Sequence, residues 1–203
     1  MRRTKEDAEK TRLRIIEAAL TLFSRNGYSN TTLAMIGTEA GFSRGPIYWH
    51  FKNKDDLYQA VLSYSQEPLE RLIQQAHEGA DSPLEAIERF AADWMELLTG
   101  DAWFRQSFEI LLNKTELTEA VAGVLDRERR LTTTVVDTLA ELFTLSQRQQ
   151  LVSPQLDARQ LGLLTYTYLM GITQSWLFAP QLFDLGNEQA FFLGRLRAML
   201  HHG

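Results

Sequence analysis

The chain has 203 residues, 44% of them hydrophobic, with 12 glycines and 5 prolines; this is enough for one large domain or two small ones, and too apolar for a disordered chain. It has no cysteine, which excludes a disulfide framework, a thiolate zinc finger and a catalytic thiol, and fits a reducing cytoplasm. The net charge of −5 conceals a polarity: residues 1–54 hold ten Lys and Arg against five Asp and Glu, and residues 55–203 hold eleven against twenty-one, so a basic head precedes an acidic body, as suits a protein that offers one end to a polyanion.

The opening MRRTKEDAEKTR is charged and lacks the apolar core of a signal peptide. From there the spacing predicts helices throughout and no alternating strand. A first helix runs from about Asp7 to Asn26, with Ile15, Ala18, Ala19, Leu22 and Phe23 in one apolar stripe. Gly27 ends it, and Thr31 or Thr32 caps a second helix that turns Leu33, Ile36 and Ala40 inward and stops at Gly41. Ser43 caps a short third helix from Arg44 to about Phe51, with Pro46 in its first turn. Asn53 and Asp56 have capping-box spacing for a fourth helix reaching about His77. Gly79-Ala80-Asp81 is a linker, and Ser82-Pro83-Leu84-Glu85 opens a helix to about Thr99. Further helices are expected over Trp103 to Asn113, Thr118 to Leu145, Asp157 to Phe178, and from Asn187 onward. Residues 160–183 carry no formal charge and are long enough to span a bilayer, but Gln160, Thr165, Thr167, Thr173, Gln174, Ser175 and Gln181 interrupt them; a helix buried in a core or against a partner, outside any membrane, is expected.

The second and third predicted helices are joined by Gly41-Phe42-Ser43, the length and composition of a helix-turn-helix turn. Ile47 and Phe51, four apart, can pack inward, which leaves Arg44, Gly45, Tyr48 and Trp49 facing out. The residues alone leave two readings: Tyr48 and Trp49 pack on the body and Arg44 is a solvated charge, or this face enters a DNA major groove. On the second reading Thr32, Ser43, Tyr48, His50 and Lys54 hold phosphates, while Arg44, Gly45, Pro46, Tyr48 and Trp49 are placed to read bases.

The run from Arg12 to Leu57, above all Ile47-Tyr48-Trp49-His50-Phe51-Lys52-Asn53-Lys54, resembles the DNA-binding head of the TetR family of repressors. The resemblance implies a three-helix head on a helical body of about six helices that binds an effector and dimerises. It also implies DNA contacts at Thr32, Arg44, Gly45, Tyr48, Trp49, His50 and Lys54. The opening Arg3-Thr4-Lys5 with Glu9 to Arg12, the Arg44 to Phe51 run, and Trp176-Leu177-Phe178-Ala179-Pro180 with Phe183-Asp184-Leu185 resemble the AcrR-type multidrug-efflux regulators. Pro46 stands where such repressors often carry alanine, which bears on base preference rather than on fold.

In the body, Trp94, Trp103, Phe104 and Phe108 are candidates for an apolar cavity, with Gln106, Glu109 and Asn113 as orienting groups. Plain core packing is the competing reading for each. Glu109, among Phe108, Ile110, Leu111 and Leu112, is either on the solvent face or kept for a cationic ligand. Leu164, Tyr168, Gly171 and Ser175 follow helical spacing and predict a homodimer face shared with the last helix; Tyr166 and Gln174 are candidates for the cavity. The four histidines, His50, His77, His201 and His202, have no ligand-like spacing, and no phosphate loop or nucleophile motif is present. Neither an enzyme, a metal nor a cofactor is expected.

The expectation is an all-α protein: a helix-turn-helix head over residues 1–56 and an effector-binding and dimerisation body over 57–203. Its partners are a double-stranded palindromic operator, a small hydrophobic effector with a cation among the options, and a second copy of itself. An effector-independent architectural DNA binder and a regulator answering a metabolite unrelated to efflux remain the alternatives.

Overall fold

The computed structural model describes residues 5–79, 81–114 and 122–201, and all regular structure among them is helical. The elements are α1 (Lys5–Asn26), α2 (Leu33–Ala40), α3 (Arg44–His50), α4 (Lys54–Glu78), α5 (Pro83–Gly100), α6 (Ala102–Glu109) with a π-helical turn at Ile110–Lys114, α7 (Ala122–Arg148), α8 (Ala158–Phe178) and α9 (Leu185–His201). The expected start at Thr118 lies outside the described residues.

Most of the ends follow from capping chemistry. Thr32 accepts from the Met35 N–H at 3.2 Å and starts α2, while Thr31 turns inward and donates to the Gly27 carbonyl at 2.8 Å. Gly41 ends α2 at φ 73°, a left-handed conformation that a β-carbon disfavours. Asn53 Oδ1 accepts from the Asp56 N–H at 2.8 Å, and Asp56 reaches back to the Lys52 N–H at 2.9 Å. Asp157 Oδ1 likewise accepts from the Gln160 N–H at 2.8 Å. Two expected details differ. Ser43 and Ser82 occupy the cap positions of α3 and α5 without a side-chain capping bond. The last helix is opened by Asp184, not Asn187: Asp184 Oδ1 accepts from the Asn187 N–H at 3.2 Å, so the acid three residues upstream supplies the cap. Pro68 stands inside α4 and removes the hydrogen bond that Tyr64's carbonyl would otherwise receive. The helix persists because Leu69, Leu72, Ile73 and Ala76 beyond it are buried.

By their contacts the described residues form two units. The first holds the described residues up to Gln66 and those from Trp103 to Leu125. Its core gathers Ile15, Ala19, Phe23, Ile36, Ile47, Leu57, Tyr58, Val61 and Ile110. The second holds Glu67 to Ala102 and the residues from Asp126 onward. There Trp94, Leu98, Val135, Leu139, Phe143 and Leu169 are sealed from solvent. Gly162 lets α8 lie against α7, since a β-carbon on it would stand 2.8 Å from the Val136 carbonyl oxygen. Arg197 on α9 forks onto the Glu88 carboxylate of α5 at 2.7 and 2.5 Å.

Candidate functional site

α3 is positioned by what it buries. Ile47 is fully enclosed and Phe51, just past the helix end, is 3% exposed. A β-carbon on Gly37 of α2 would stand 2.9 Å from Ile47 Cδ1, so a glycine there allows the two helices to meet closely. Arg14 of α1 braces the turn, donating to the Ala40 carbonyl at 3.2 Å with its guanidinium 4.9 Å from the Phe42 ring centre.

With that face committed inward, Arg44 and Gly45 are exposed, and Tyr48 and Trp49 stand 58% and 71% exposed. Apart from its chain neighbours and its own helix backbone, no heavy atom of the described residues lies within 4 Å of a β-carbon placed on Gly45. Pro46 is half-buried, Ser43 is exposed, and His50 is half-buried with its ring edge-on to Trp49 at 4.5 Å. Thr32 is exposed, and since its oxygen acts as acceptor in the cap, its hydroxyl hydrogen is left to donate outward. The first unit therefore presents two large aromatics, a guanidinium and several hydroxyls on one short helix and its entry. That combination suits a surface offering phosphate oxygens and stacked base edges.

Lys54 has a partner that sequence reasoning did not foresee. Its ammonium donates to the Tyr28 carbonyl at 2.9 Å and lies 4.1 Å from the Tyr28 ring centre, while the Tyr28 hydroxyl hydrogen-bonds Asp55. Lys54→Ala is accordingly expected to lower stability by about 1 kcal/mol, through a lost hydrogen bond and a lost cation–π contact. A urea unfolding curve identical to the parent's would show that this contact contributes nothing.

The residues expected around an effector divide between the units. Phe104 and Phe108 meet edge-on at 5.1 Å in the first unit. Glu109 accepts a hydrogen bond from Ser24 Oγ of α1 at 2.6 Å, and Asn113 is exposed in the π-helical turn. Trp103 packs on Tyr64 of α4 at 5.0 Å between ring centres. Trp94, Tyr166 and Gln174 belong to the second unit. Trp94 is 1% exposed and donates from Nε1 to Thr173 Oγ1 at 3.0 Å. Phe90 lies 6.0 Å from it, and Tyr166 stands edge-on to it at 6.4 Å. The Tyr166 hydroxyl lies 3.3 Å from Thr132 Oγ1 of α7, and burial pushes its pKa up.

Glu128, one turn before Thr132, is a group that sequence reasoning missed. Burial raises its carboxyl from 4.5 to about 7 against the opposing pull of Arg127. Its signal was helical phase: Glu128, Thr132, Val135, Leu139 and Leu142 fall on one stripe, and the last three are buried. A separate groove of about 370 Å³ between α4 and α5 is lined by Arg71, Gln75, Asp93, Glu96 and Asp101 among others, and none of the expected residues lies in it.

Along α8, Leu164, Gly171 and Ser175 are exposed, and Tyr168 is half-buried with its hydroxyl donating to the Phe192 carbonyl of α9 at 2.9 Å. The exposed apolar row continues through Phe178, Leu182 and Phe191, which are 79%, 68% and 60% exposed. Among the described residues no three His, Cys, Asp or Glu side chains come together as a metal site, and no helix is long and apolar enough to cross a membrane.

Comparison with known proteins matches both parts of the chain. Residues 15–61 fit the bacterial regulatory proteins of the tetR family, and residues 82–202 fit the C-terminal region of MAATS-type transcriptional repressors. The chain is 31% identical over 199 residues to the HTH-type transcriptional regulator AcrR of Shigella flexneri, covering 98% of this chain and 93% of that one. It is 34% identical over 187 residues to the HTH-type transcriptional regulator TtgR of Pseudomonas putida, covering 91% and 89%. In structure it is similar to NalD, the secondary repressor of the MexAB-OprM multidrug efflux pump in Pseudomonas aeruginosa, with a TM-score of 0.83 and 28% identity over 97% of this chain and 98% of that one. With a helix-turn-helix head of this build and relatives that align along nearly its whole length, the chain belongs to the TetR family of bacterial transcriptional regulators.

Proposed function

We propose that this regulator is a cytoplasmic homodimer that represses an efflux or detoxification operon and leaves a palindromic operator when a small hydrophobic effector binds its body. Residues 1–56 do the DNA reading, and residues 57–203 bind the effector and dimerise. The observation that carries the reading is the outward face of α3, where Tyr48 and Trp49 are kept in solvent while Ile47 anchors the helix. Such apolar exposure is costly unless a partner covers it. Thr32, Ser43, Tyr48, His50 and Lys54 hold the backbone; Arg44, Gly45, Pro46, Tyr48 and Trp49 meet the bases. The similarity to NalD, a repressor of a multidrug efflux pump, supports the operon class.

The second copy docks on the exposed row of α8 and α9, where Leu164, Gly171 and Ser175 lie in line with Phe178. A two-fold dimer places two α3 helices about one DNA turn apart, roughly 34–36 Å, which is why the operator is palindromic. The effector needs differential affinity for the DNA-free arrangement, since equal affinity shifts nothing.

The test is a binding series on DNA selected by the protein from a random pool. Arg44→Ala is expected to lose roughly 1–3 kcal/mol on that site and to relax preference at one base pair per half-site. Equal loss on selected and random DNA would assign Arg44 to phosphate and remove it from base reading.

A further inference from the structure

The junction between α2 and α3 decides where α3 points. At the end of α2 the Phe42 N–H donates to the Gly37 carbonyl at 2.8 Å and the Gly41 N–H to the Thr38 carbonyl at 3.1 Å, around the left-handed Gly41. That pairing satisfies the carbonyls of Gly37 and Thr38 and passes over the carbonyl of Ala40, the last residue of the helix. On the other side of the turn, Ser43 makes no side-chain capping bond to α3. Arg14 of α1 reaches in from outside. Its Nη2 donates to the Ala40 carbonyl at 3.2 Å, and its guanidinium lies 4.9 Å from the Phe42 ring centre. The same Nη2 stands 3.6 Å from the place a β-carbon on Gly41 would take. One exposed side chain thus meets the residue before the turn, the turn glycine and the residue after it. A guanidinium there also faces the negative end of the α2 dipole.

We propose that Arg14 is a positioning residue for base reading: it holds the tilt of α3 through the turn and makes no contact with DNA itself. The proposal rests on the reading of α3 as the helix that enters the major groove. Trp49 is six residues beyond Ser43, roughly 9 Å along the axis at about 1.5 Å per residue. A tilt of about 10° at the turn moves it by about 1.5 Å, well beyond the range of about 0.5 Å over which N–H···O hydrogen bonds form. Base contacts from a short, rigid helix do not survive such a shift. Phosphate contacts from long, flexible side chains do, so losing Arg14 costs selectivity and spares general affinity. By composition Arg14 counts with the basic residues of the head, and the competing role for an exposed arginine there is a phosphate ligand.

Arg14→Met keeps an unbranched stem and removes the guanidinium, while Arg14→Lys keeps a cation and a donor. Both are measured as full-length proteins, by fluorescence anisotropy across a salt series, on DNA selected by the parent from a random pool and on scrambled DNA of the same length. For Arg14→Met, affinity for selected DNA is expected to fall about tenfold, with scrambled affinity within about twofold of the parent's and both salt slopes unchanged. Arg14→Lys is expected to restore most of the lost selectivity. A loss shared equally by both DNAs, with a salt slope shallower by about one unit, makes Arg14 a phosphate ligand and overturns the proposal. A lowered melting temperature with parental selectivity overturns it too, because that is the mark of a brace that matters to stability alone. A parent that does not discriminate the two DNAs removes the reading of α3 and the proposal with it. A selective parent with an equally selective Arg14→Met removes the proposal alone.

Discussion

Gly171→Leu is expected to turn the proposed dimer into well-folded monomers. Gly171 lies in the interior of α8 on its exposed face, and beyond its own helix backbone and chain neighbours a β-carbon there meets no heavy atom of the described residues within 4 Å. Leucine also favours a helix interior over glycine by roughly 0.5–1 kcal/mol. Nothing within one subunit opposes the substitution. In the proposed dimer the same position on the partner's α8 would come close across the two-fold axis, and two added isobutyl groups would force the small-residue contact apart, an overpacking effect of about 1–3 kcal/mol for each clash. Sedimentation velocity is expected to show the monomer mass while far-ultraviolet dichroism keeps the parent's helical signal. Operator affinity should fall steeply, because a monomer grips one half-site. A leucine variant that sediments as the parent dimer would place the interface away from this stretch of α8.

Glu128→Gln is expected to stabilise the protein at pH 8 and to leave it almost unchanged near pH 4. A carboxyl raised from 4.5 to about 7 in the folded state binds more protons there than in the unfolded chain. Stability therefore falls as pH climbs from about 4.5 to about 7, and the full deficit is present above that range. The shift corresponds to roughly 3 kcal/mol. Glutamine keeps the shape and removes the titration. At pH 8 the melting temperature is expected to rise by up to about 10 °C for a chain of this size, using roughly 2–4 °C per kcal/mol. An equal difference in melting temperature at pH 5 and pH 8 would show that Glu128 titrates as an ordinary surface glutamate.

The DNA-reading head is legible in the sequence because short-range chemistry writes it. Thr32 capping α2, Gly41 in a left-handed turn and Asn53 capping the Asp56 N–H each act within a few residues, and local spacing is what a sequence displays. Ile47 inward with Tyr48 and Trp49 outward follows from helical phase alone. The allegiance of α6 is not legible in the same way. Periodicity predicts that Phe104 and Phe108 share a face, and they do, but it does not name the partner of that face. Glu109 meets Ser24 across 85 residues of sequence, and Ile110 joins the core of the first unit. Glu128 was hidden for a different reason. It sits in the run Asp126-Arg127-Glu128-Arg129-Arg130, where every neighbour is charged, and composition alone marks such a run as a solvated face. Its phase with Val135 and Leu139 singles it out once the buried side of α7 is known. The proposed dimer face draws on both sources: spacing in the sequence picks out Leu164, Gly171 and Ser175, whereas Leu182, in the loop beyond α8, and Phe191 on α9 lie beyond the helix that spacing describes.

The contrast between Trp49 and Trp94 has an optical consequence. The chain has four tryptophans, and these two lie at opposite extremes, one 71% and the other 1% exposed. An indole in water emits at the red end of the tryptophan range and is open to collisional quenchers such as iodide. An indole sealed among rings emits to the blue and is shielded. Trp103 and Trp176 are half-buried and fill the middle of the band, and phenylalanine at both positions would clear it. In that background the red component belongs to the face proposed to meet DNA and the blue component to the buried indole of the second unit. Operator binding would shield Trp49 from iodide, effector binding would perturb Trp94, and the order of the two signals after rapid mixing would say which half of the protein moves first.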